Sequence, residues 1–338
     1  MITILQLTAL NDRDEILLIT TSDDGTKRFL HVDRVSPLLE PLDPQSFRHK
    51  KLLYGGLNNT IDINIKPHVI FNSIGDPDRC SKMLQRVTNI AEKNNFPYIN
   101  HPAMVPNVKA ERLYALSEGI EGLNTPKCVR LRPDSASSLV DTAAEHGITP
   151  PYIVKEVGCD PDRKNSYLME EDAETTALDR FAFDGRAYDV IKYHDYRSKD
   201  GLYRKQRFFV IGETIYPGHL IISEKWKVVN DDEAHLGLEK QLKKLKKEEK
   251  HFLKRYQTRQ FPALLELKQR LGLDFFAVDC HLTDDEQLLL FGVDCEAHYF
   301  ERLKEDGYYN DKQIHTYNRA VETMIMTKLQ QWRASKSV

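Results

Sequence analysis

What this 338-residue sequence lacks narrows it first. No stretch approaches the ~18 consecutive apolar residues of a bilayer-spanning helix. Asp12, Arg13, Asp14 and Glu15 fall within the opening segment, so neither a membrane anchor nor a secretory signal is expected. Cysteine is sparse: Cys80, Cys128, Cys159, Cys280 and Cys295 are odd in number, widely spaced and never form C-x-x-C, which argues against zinc or redox motifs and for a reducing, cytoplasmic setting. His101, His194, His281 and His298 have no partner at metal-binding spacing, so no zinc is assigned to them either. There is no basic excess, since 48 Lys plus Arg face 51 Asp plus Glu for a formal charge of −3, and a nucleic-acid partner is not expected. Internal repeats and low-complexity tracts are missing too. With 41% hydrophobic and 29% charged residues, the composition is that of an ordinary globular protein. At about 150 residues per domain, two or three packed units are expected.

The opening runs ITILQL, EILLITTS and TKRFLHVDRV are β-branched and divided by turn-formers. HVIFNSIG (68–75) is apolar on both faces and suits a buried parallel strand. Asp76 reads as an N-cap and Pro77 as the first helical turn of a helix reaching about Asn94, before a short strand at YIN. Strand, helix, strand makes residues up to about 105 an α/β unit. A helix follows from Lys109, then the strand CVRLRP, a helix capped by Asp134, the strand YIVKEV (152–157) and a helix in MEEDAETTALDRFA. YDVIKYHDY, LYRKQRFFVIG, ETIYPGHLIIS and KWKVVN come in quick succession and predict one antiparallel sheet. Residues 232–257 read as a long helix with Leu238, Leu242, Leu245, Phe252 and Tyr256 near heptad spacing. Eight Lys or Arg and three Glu between Glu239 and Arg255 make it locally +5, which fits a solvated outer face, with an anion or nucleic-acid surface as the alternative. A short helix from Pro262 ends at Gly272, DFFAVDCHLT and QLLLFGVDCEA form a hairpin about Asp284-Asp285, and a last helix covers about Lys312 to Trp332.

That hairpin carries the chemistry. Asp279 lies on its first strand and Asp294 and Glu296 on its second, among apolar neighbours. Residues i and i+2 share a strand face, so Asp294 and Glu296 are expected together with Asp279 alongside. Like charges so crowded call for a cation, and oxygen donors point to Mg²⁺ or Mn²⁺; emergence of the acids at a solvated sheet edge is the alternative. Lys155 interrupts an apolar strand, which is costly unless its ammonium meets an anion. Lys192, Lys205 and Arg207 stand on neighbouring strands of the expected sheet. Each cation alone could be an exposed strand residue; jointly, cations facing carboxylate-held Mg²⁺ suit a polyphosphate.

In this order the elements over roughly residues 66–300 resemble the ATP-grasp superfamily, in its branch of glutathione synthetases and ribosomal-protein glutamate ligases. VIFNSIGDPD and YINHPAMVPNVKAERLYAL look like the family's preceding domain and entry helix, and GLDFFAVDC with LLLFGVDCEA like its two metal-bearing strands. The resemblance implies an α/β (α+β) chain in three parts: an N-terminal domain 1–105, a lid-type subdomain 106–186, and a C-terminal subdomain 187–338 with a helical insertion at 232–271. Antiparallel sheets would enclose a nucleotide cleft. Lys109 and Lys155 fall at the family's ATP lysines, the backbone of Ile191, Lys192 and Tyr193 at its adenine-reading hinge, Asp195 near the ribose, and Lys205 and Arg207 near the phosphates. Asp279, Asp294 and Glu296 would hold Mg²⁺ or Mn²⁺.

The implied reaction is an ATP- and Mg²⁺-dependent carboxylate–amine ligation through an acyl phosphate, on an amino acid or peptide, with Lys155 and Arg207 steadying the developing charge. Arg204, Arg207 and His219 would meet a substrate carboxylate. The alternative is a catalytically weak relative that binds nucleotide or peptide. Three departures from the family stand out. Its metal strand carries Glu then Asn two residues on, where this chain has Asp294 then Glu296, or Gly292 then Asp294 in another register; the phosphate loop VGCDPDRKNSY holds only Gly158; and the 232–271 insertion fits either a homodimer contact or a lid.

Overall fold

The computed structural model describes residues 1–13, 18–21, 28–31, 38–55, 65–159, 165–228, 239–297 and 311–336. Its first layer is a parallel sheet of β1 (Ile2–Ala9), β4 (Phe47–Tyr54), β5 (Val69–Asn72) and β6 (Tyr98–Ile99), in the order β4-β1-β5-β6. A separate hairpin pairs β2 (Leu18–Thr21) with β3 (Arg28–His31). Strand β4 lies in a stretch that the sequence reads as irregular. Its exposed Lys50 and Glu40-paired Lys51 fit its place at the sheet edge, where half the backbone faces water. Helix α1 (Ser81–Lys93) covers the sheet with Met83, Leu84, Val87 and Ala91. It begins later than expected, because the Asp76 carboxylate closes a turn of its own on the Asp78 and Arg79 amides, both at 3.0 Å. Asp12, from the end of β1, takes the helix's leading amides instead, accepting from Lys82 at 2.9 Å and Met83 at 3.3 Å.

A second, antiparallel sheet contains β8 (Cys128–Leu131), β9 (Tyr152–Glu156), β10 (Ser166–Met169) and β11 (Tyr188–Lys192), in the order β10-β9-β11-β8. Tyr152, Val154, Tyr188 and Val190 are fully buried on one face, against α3 (Ala136–Glu145) and a 3-10 helix at Asp172–Arg180. The helix expected over MEEDAETTALDRFA is instead a run of 3-10 turns over Asp172–Arg180, and the residues just before it, Ser166–Met169, form a strand paired with β9. Ser135, not Asp134, caps α3, its hydroxyl accepting from the Ser138 amide at 3.1 Å.

The third sheet runs β13-β12-β14-β15-β7, with β12 (Tyr203–Ile211), β13 (Thr214–Ser223), β14 (Phe275–Leu282), β15 (Leu288–Asp294) and β7 (Leu123–Asn124). Strand β11 therefore does not join β12 and β13 in one sheet, as the sequence suggested: its alternating Tyr188 and Val190 are claimed by the second core. The segment KWKVVN falls in bends at 224–227 rather than a strand, and its last two residues lie outside the described ones. Helices α2 (Ala110–Ser117), α4 (Glu239–Tyr256), α5 (Pro262–Leu271) and α6 (Asp311–Lys336) complete the fold. Gly272 ends α5 in the left-handed region at φ 70°, a conformation glycine adopts without strain. Helix α4 packs along β13, the edge strand, burying Leu245, Phe252, Leu253 and Tyr256; Leu238 lies outside the described residues. Its buried Glu249 accepts the Leu220 amide at 3.2 Å, an edge N–H that no strand reaches.

One core joins the first and third sheets, with Phe71 edge-on to Phe275 at 6.5 Å. Fully buried Asn100 ties them together, its Oδ1 accepting from Asp274 and Phe275 N–H at 2.9 Å and its Nδ2 donating to the Phe275 carbonyl at 2.7 Å. Among the described residues, no helix is long and apolar enough to cross a membrane.

Candidate functional site

The second and third sheets face each other across a cleft of about 540 Å³. Alternation along the strands sets its walls. From the second sheet come Cys128, Ile153, Lys155, Asp189 and Ile191, the residues of opposite parity to the buried set; from the third come Lys205, Arg207, Asp279, Leu290, Gly292 and Asp294. One end of the cleft is apolar and aromatic, with Ile153, Ile191, Tyr193, Trp226, Val228 and Leu289; the other is charged.

At the charged end, register rather than chance places Arg207 against Asp279, since the two are direct partners on β12 and β14. The guanidinium donates through Nε and Nη2 to the two Asp279 oxygens at 2.7 and 2.8 Å, while Nη1 stands 3.3 Å from Asp294 Oδ2. Lys205, two residues before Arg207, has its Nζ 3.8 Å from Asp279. Burial opposes ionisation of Asp279, but the Arg207 charge and hydrogen bonds, backed by Lys205 and His219, outweigh it and hold the carboxyl well below the usual range.

The three expected metal ligands are not equivalent. Asp279 faces Gly292 across the hairpin, and a β-bulge beside it shifts the register. Asp294 is the last residue of β15, two positions beyond Gly292, and so shares the Asp279 face. Glu296 lies in the turn past the strand, so the strand alternation that would pair it with Asp294 does not extend to it. Its Oε1 accepts the Gly75 amide at 2.9 Å, and its own N–H donates to Asp294 Oδ1 at 2.9 Å. Among the described residues, no three His, Cys, Asp or Glu side chains form a metal-holding group. Two carboxylates are nevertheless the donor set Mg²⁺ takes when substrate phosphates and water complete its shell, and Asp279 with Asp294 fit that role.

The remaining expected residues divide. Lys109, Lys155, Ile191, Lys192, Tyr193 and Lys205 line the cleft with Arg207, although Lys192 spends its ammonium on the Thr149 carbonyl at 2.7 Å and Lys109 stands 3.6 Å from Asp78. Lys192 is also on the opposite wall from Lys205 and Arg207, not on a neighbouring strand of one sheet, because β11 belongs to the second sheet. Asp195 is outside the lining, exposed and paired with Arg197 at 2.8 Å. Arg204 is turned to the other side of β12, bound to Asp200 and to Glu248 of α4, both at 2.8 Å. His219 is buried beside Arg207 in the β12–β13 ladder, not at the cleft surface.

Sequence reasoning passed over Arg130. This β8 residue binds both oxygens of Asp78 at 2.6 and 3.0 Å, both of Asp189 at 2.8 and 3.0 Å, and Glu111 at 3.0 Å. Asp189 and Asp78 line the cleft, so Arg130 pins its floor while joining the first sheet's loop to the second sheet. The signal was available: Arg130 and Asp189 interrupt the apolar strands CVRL and YDVIK just as Lys155 interrupts YIVKE.

The architecture has close structural counterparts. The D-alanine–D-alanine ligase of Coxiella burnetii matches with a TM-score of 0.58 over 100% of this chain and 98% of that one, at 10% identity. The same enzyme from Bacillus anthracis, solved with ATP, matches at 0.55 over 99% of each chain and 12% identity. A RiPP-associated ATP-grasp ligase from Chryseobacterium gregarium, solved with ADP and a leader and core peptide, matches at 0.53 over 97% of each and 12% identity. No protein-family model and no curated protein matches the sequence. Identity this low bears on the fold and not on the substrate.

Proposed function

We propose that this chain, which carries the ATP-grasp fold, is an ATP-dependent ligase that joins a carboxylate to an amine. The observation that carries the reading is the opposition across one cleft of Lys155 on β9 to Lys205, Arg207, Asp279 and Asp294 on the third sheet. The apolar end, with Ile153, Ile191 and Leu289, offers the apolar side chains a purine would pack against, beside the backbone from Ile191 to Tyr193. Lys109, Lys155, Lys205 and Arg207 then meet the phosphates, and Asp279 and Asp294 would hold Mg²⁺, which neutralises charge on the phosphate oxygens as transfer proceeds.

In such a reaction a substrate carboxylate attacks the γ-phosphorus and ADP leaves; an amine then attacks the acyl phosphate, losing a proton and expelling phosphate. None of these steps needs a nucleophile from the protein. What the chain contributes is placement and fixed countercharge, both worth more in a closed cleft than in water. Lys155 and Arg207, approaching from opposite walls, are positioned to hold the transferred group between them. The neighbours solved with amino-acid or peptide ligase names make an amino acid or peptide the first substrate class to try.

The test is ADP release from MgATP by purified protein across pools of carboxylic acids and amines. An ADP signal that needs one member of each pool supports ligation. Failure to bind nucleotide or to release ADP with any combination defeats it. A nucleotide-sensing relative is the competing reading, favoured by Arg207 already occupying both carboxylates; it requires tight ATP binding that survives Asp294→Ala without ADP formation.

A further inference from the structure

We propose that Arg207 is a built-in countercation that keeps the divalent-metal site shut until a nucleotide's phosphates draw it away. The inference rests on the nucleotide reading above and adds an order of binding to it.

The guanidinium donates twice to Asp279 and stands 3.3 Å from Asp294, so a single side chain spans both candidate metal ligands. The arrangement is pre-set by the fold. Arg207 and Asp279 are register partners on adjacent strands, and the Arg207 side chain is only 15% exposed, so little conformational freedom remains to be lost. Lys205 adds a second positive charge 3.8 Å from Asp279. Two carboxylates and two cations sum to zero. A divalent ion entering would leave these four groups at a net charge of +2 and stand beside two like charges, in a setting where water screens poorly. A nucleotide polyphosphate reverses that balance. Its oxygens offer Arg207 and Lys205 new partners and release both aspartates, so that Asp279 and Asp294 would be free to hold a divalent ion, which would supply countercharge to the phosphates. Exchange of one cation for another on the same two carboxylates involves no covalent step and no net proton transfer.

The prediction is directional: metal without nucleotide binds poorly, and removing Arg207 makes it bind better. Free Mn²⁺ can be followed by its electron paramagnetic resonance signal during titration of nucleotide-free protein, with native circular dichroism required of every variant. Arg207→Met should tighten Mn²⁺ binding at least about tenfold over wild type, given the size of a close charge repulsion at reduced dielectric. Adding Asp294→Asn to it should abolish the gain. Arg207→Gln, which also removes the charge, should gain in the same direction and stands in if the methionine variant fails to fold, whereas Arg207→Lys, which keeps the charge, should gain less than either. Nucleotide-free wild type that binds Mn²⁺ as tightly as the folded Arg207 variants overturns the proposal. ADP titrated into wild type with Mg²⁺ and again in EDTA separates this from the parent reading: no binding in either removes the nucleotide site itself, binding only with Mg²⁺ overturns the proposed order, and ADP binding in EDTA together with tight nucleotide-free Mn²⁺ binding removes only the countercation.

Discussion

Gly75 gives its backbone N–H to Glu296 Oε1 at 2.9 Å, joining the loop after β5 to the turn after β15 across 221 residues of sequence. A Cβ at position 75 would overlap Glu296 Cγ and stand 2.9 Å from Cys295 Cβ, so the close approach requires glycine. The contact fixes the first sheet's loop at the end of the strand that carries Asp294. Glu296→Ala should cost about 1–3 kcal/mol by leaving a buried amide unpaired. Gly75→Ala should cost a similar ~1–3 kcal/mol through overpacking. Urea unfolding of both variants checks this; losses below measurement error would mean the joint is not structural.

Arg130→Met should be more damaging. It strands Asp189, only 4% exposed, together with Asp78 and Glu111, and breaking a buried pair from one side costs about 3–5 kcal/mol. Nucleotide affinity should fall with it, because Asp78 and Asp189 line the cleft. A fully stable variant with unchanged affinity would show that Arg130 is a bystander.

The carboxyl of Asp279 makes a pH prediction whose sign is fixed. Its folded pKa is depressed, so its contribution to stability is complete above the unfolded value of about 3.9 and is lost as pH falls towards the folded value. The stability gap between wild type and Asp279→Asn should therefore be widest near neutral pH and narrow below about pH 4. A gap that grows on acidification would contradict the Arg207–Asp279 pairing as the cause. The comparison is made by denaturant unfolding at matched ionic strength.

Much of this was legible in the chain. Asp279 and Asp294 announced themselves as acids in strands otherwise built of Phe, Val and Leu, because charge inside an apolar strand is costly unless it is matched; Lys155, the cation in YIVKE, lines the cleft but is exposed there, so the burial cost that marked it does not arise. Gly272 and Pro262 bounded α5 as their backbone limits require. Sheet membership was not legible. Strand β11 could pair with either neighbour on propensity alone, and only the packing of Tyr188 and Val190 on α3 sends it to the second sheet. Arg204 and Arg207 look alike three residues apart, yet that odd spacing in the pleat sends one to α4 and the other into the cleft. Glu296 lies past the end of β15, where strand alternation no longer fixes the face, and it reaches the cleft from the turn instead.

The contrast between a cation in the cleft and one turned away from it can be tested with Lys155 on β9 and Arg204 on β12. Lys155→Met should weaken nucleotide binding by roughly tenfold, as expected for a charge lost beside phosphate. Arg204→Met should leave the affinity within about twofold while lowering stability, since it loses Asp200 and Glu248 through a charge-assisted fork. Isothermal titration with ADP separates the two. Equal losses in affinity would place Arg204 at the nucleotide after all.

The most direct test of the account is a crystal structure of the protein with ADP and Mn²⁺, read at the manganese anomalous edge. The account predicts the base between Ile153 and Leu289, phosphates within hydrogen-bonding reach of Lys155 and Arg207, and an anomalous peak at Asp279 and Asp294. Nucleotide bound elsewhere, or an empty cleft at saturating ADP with Arg207 still forked on both aspartates, would contradict it.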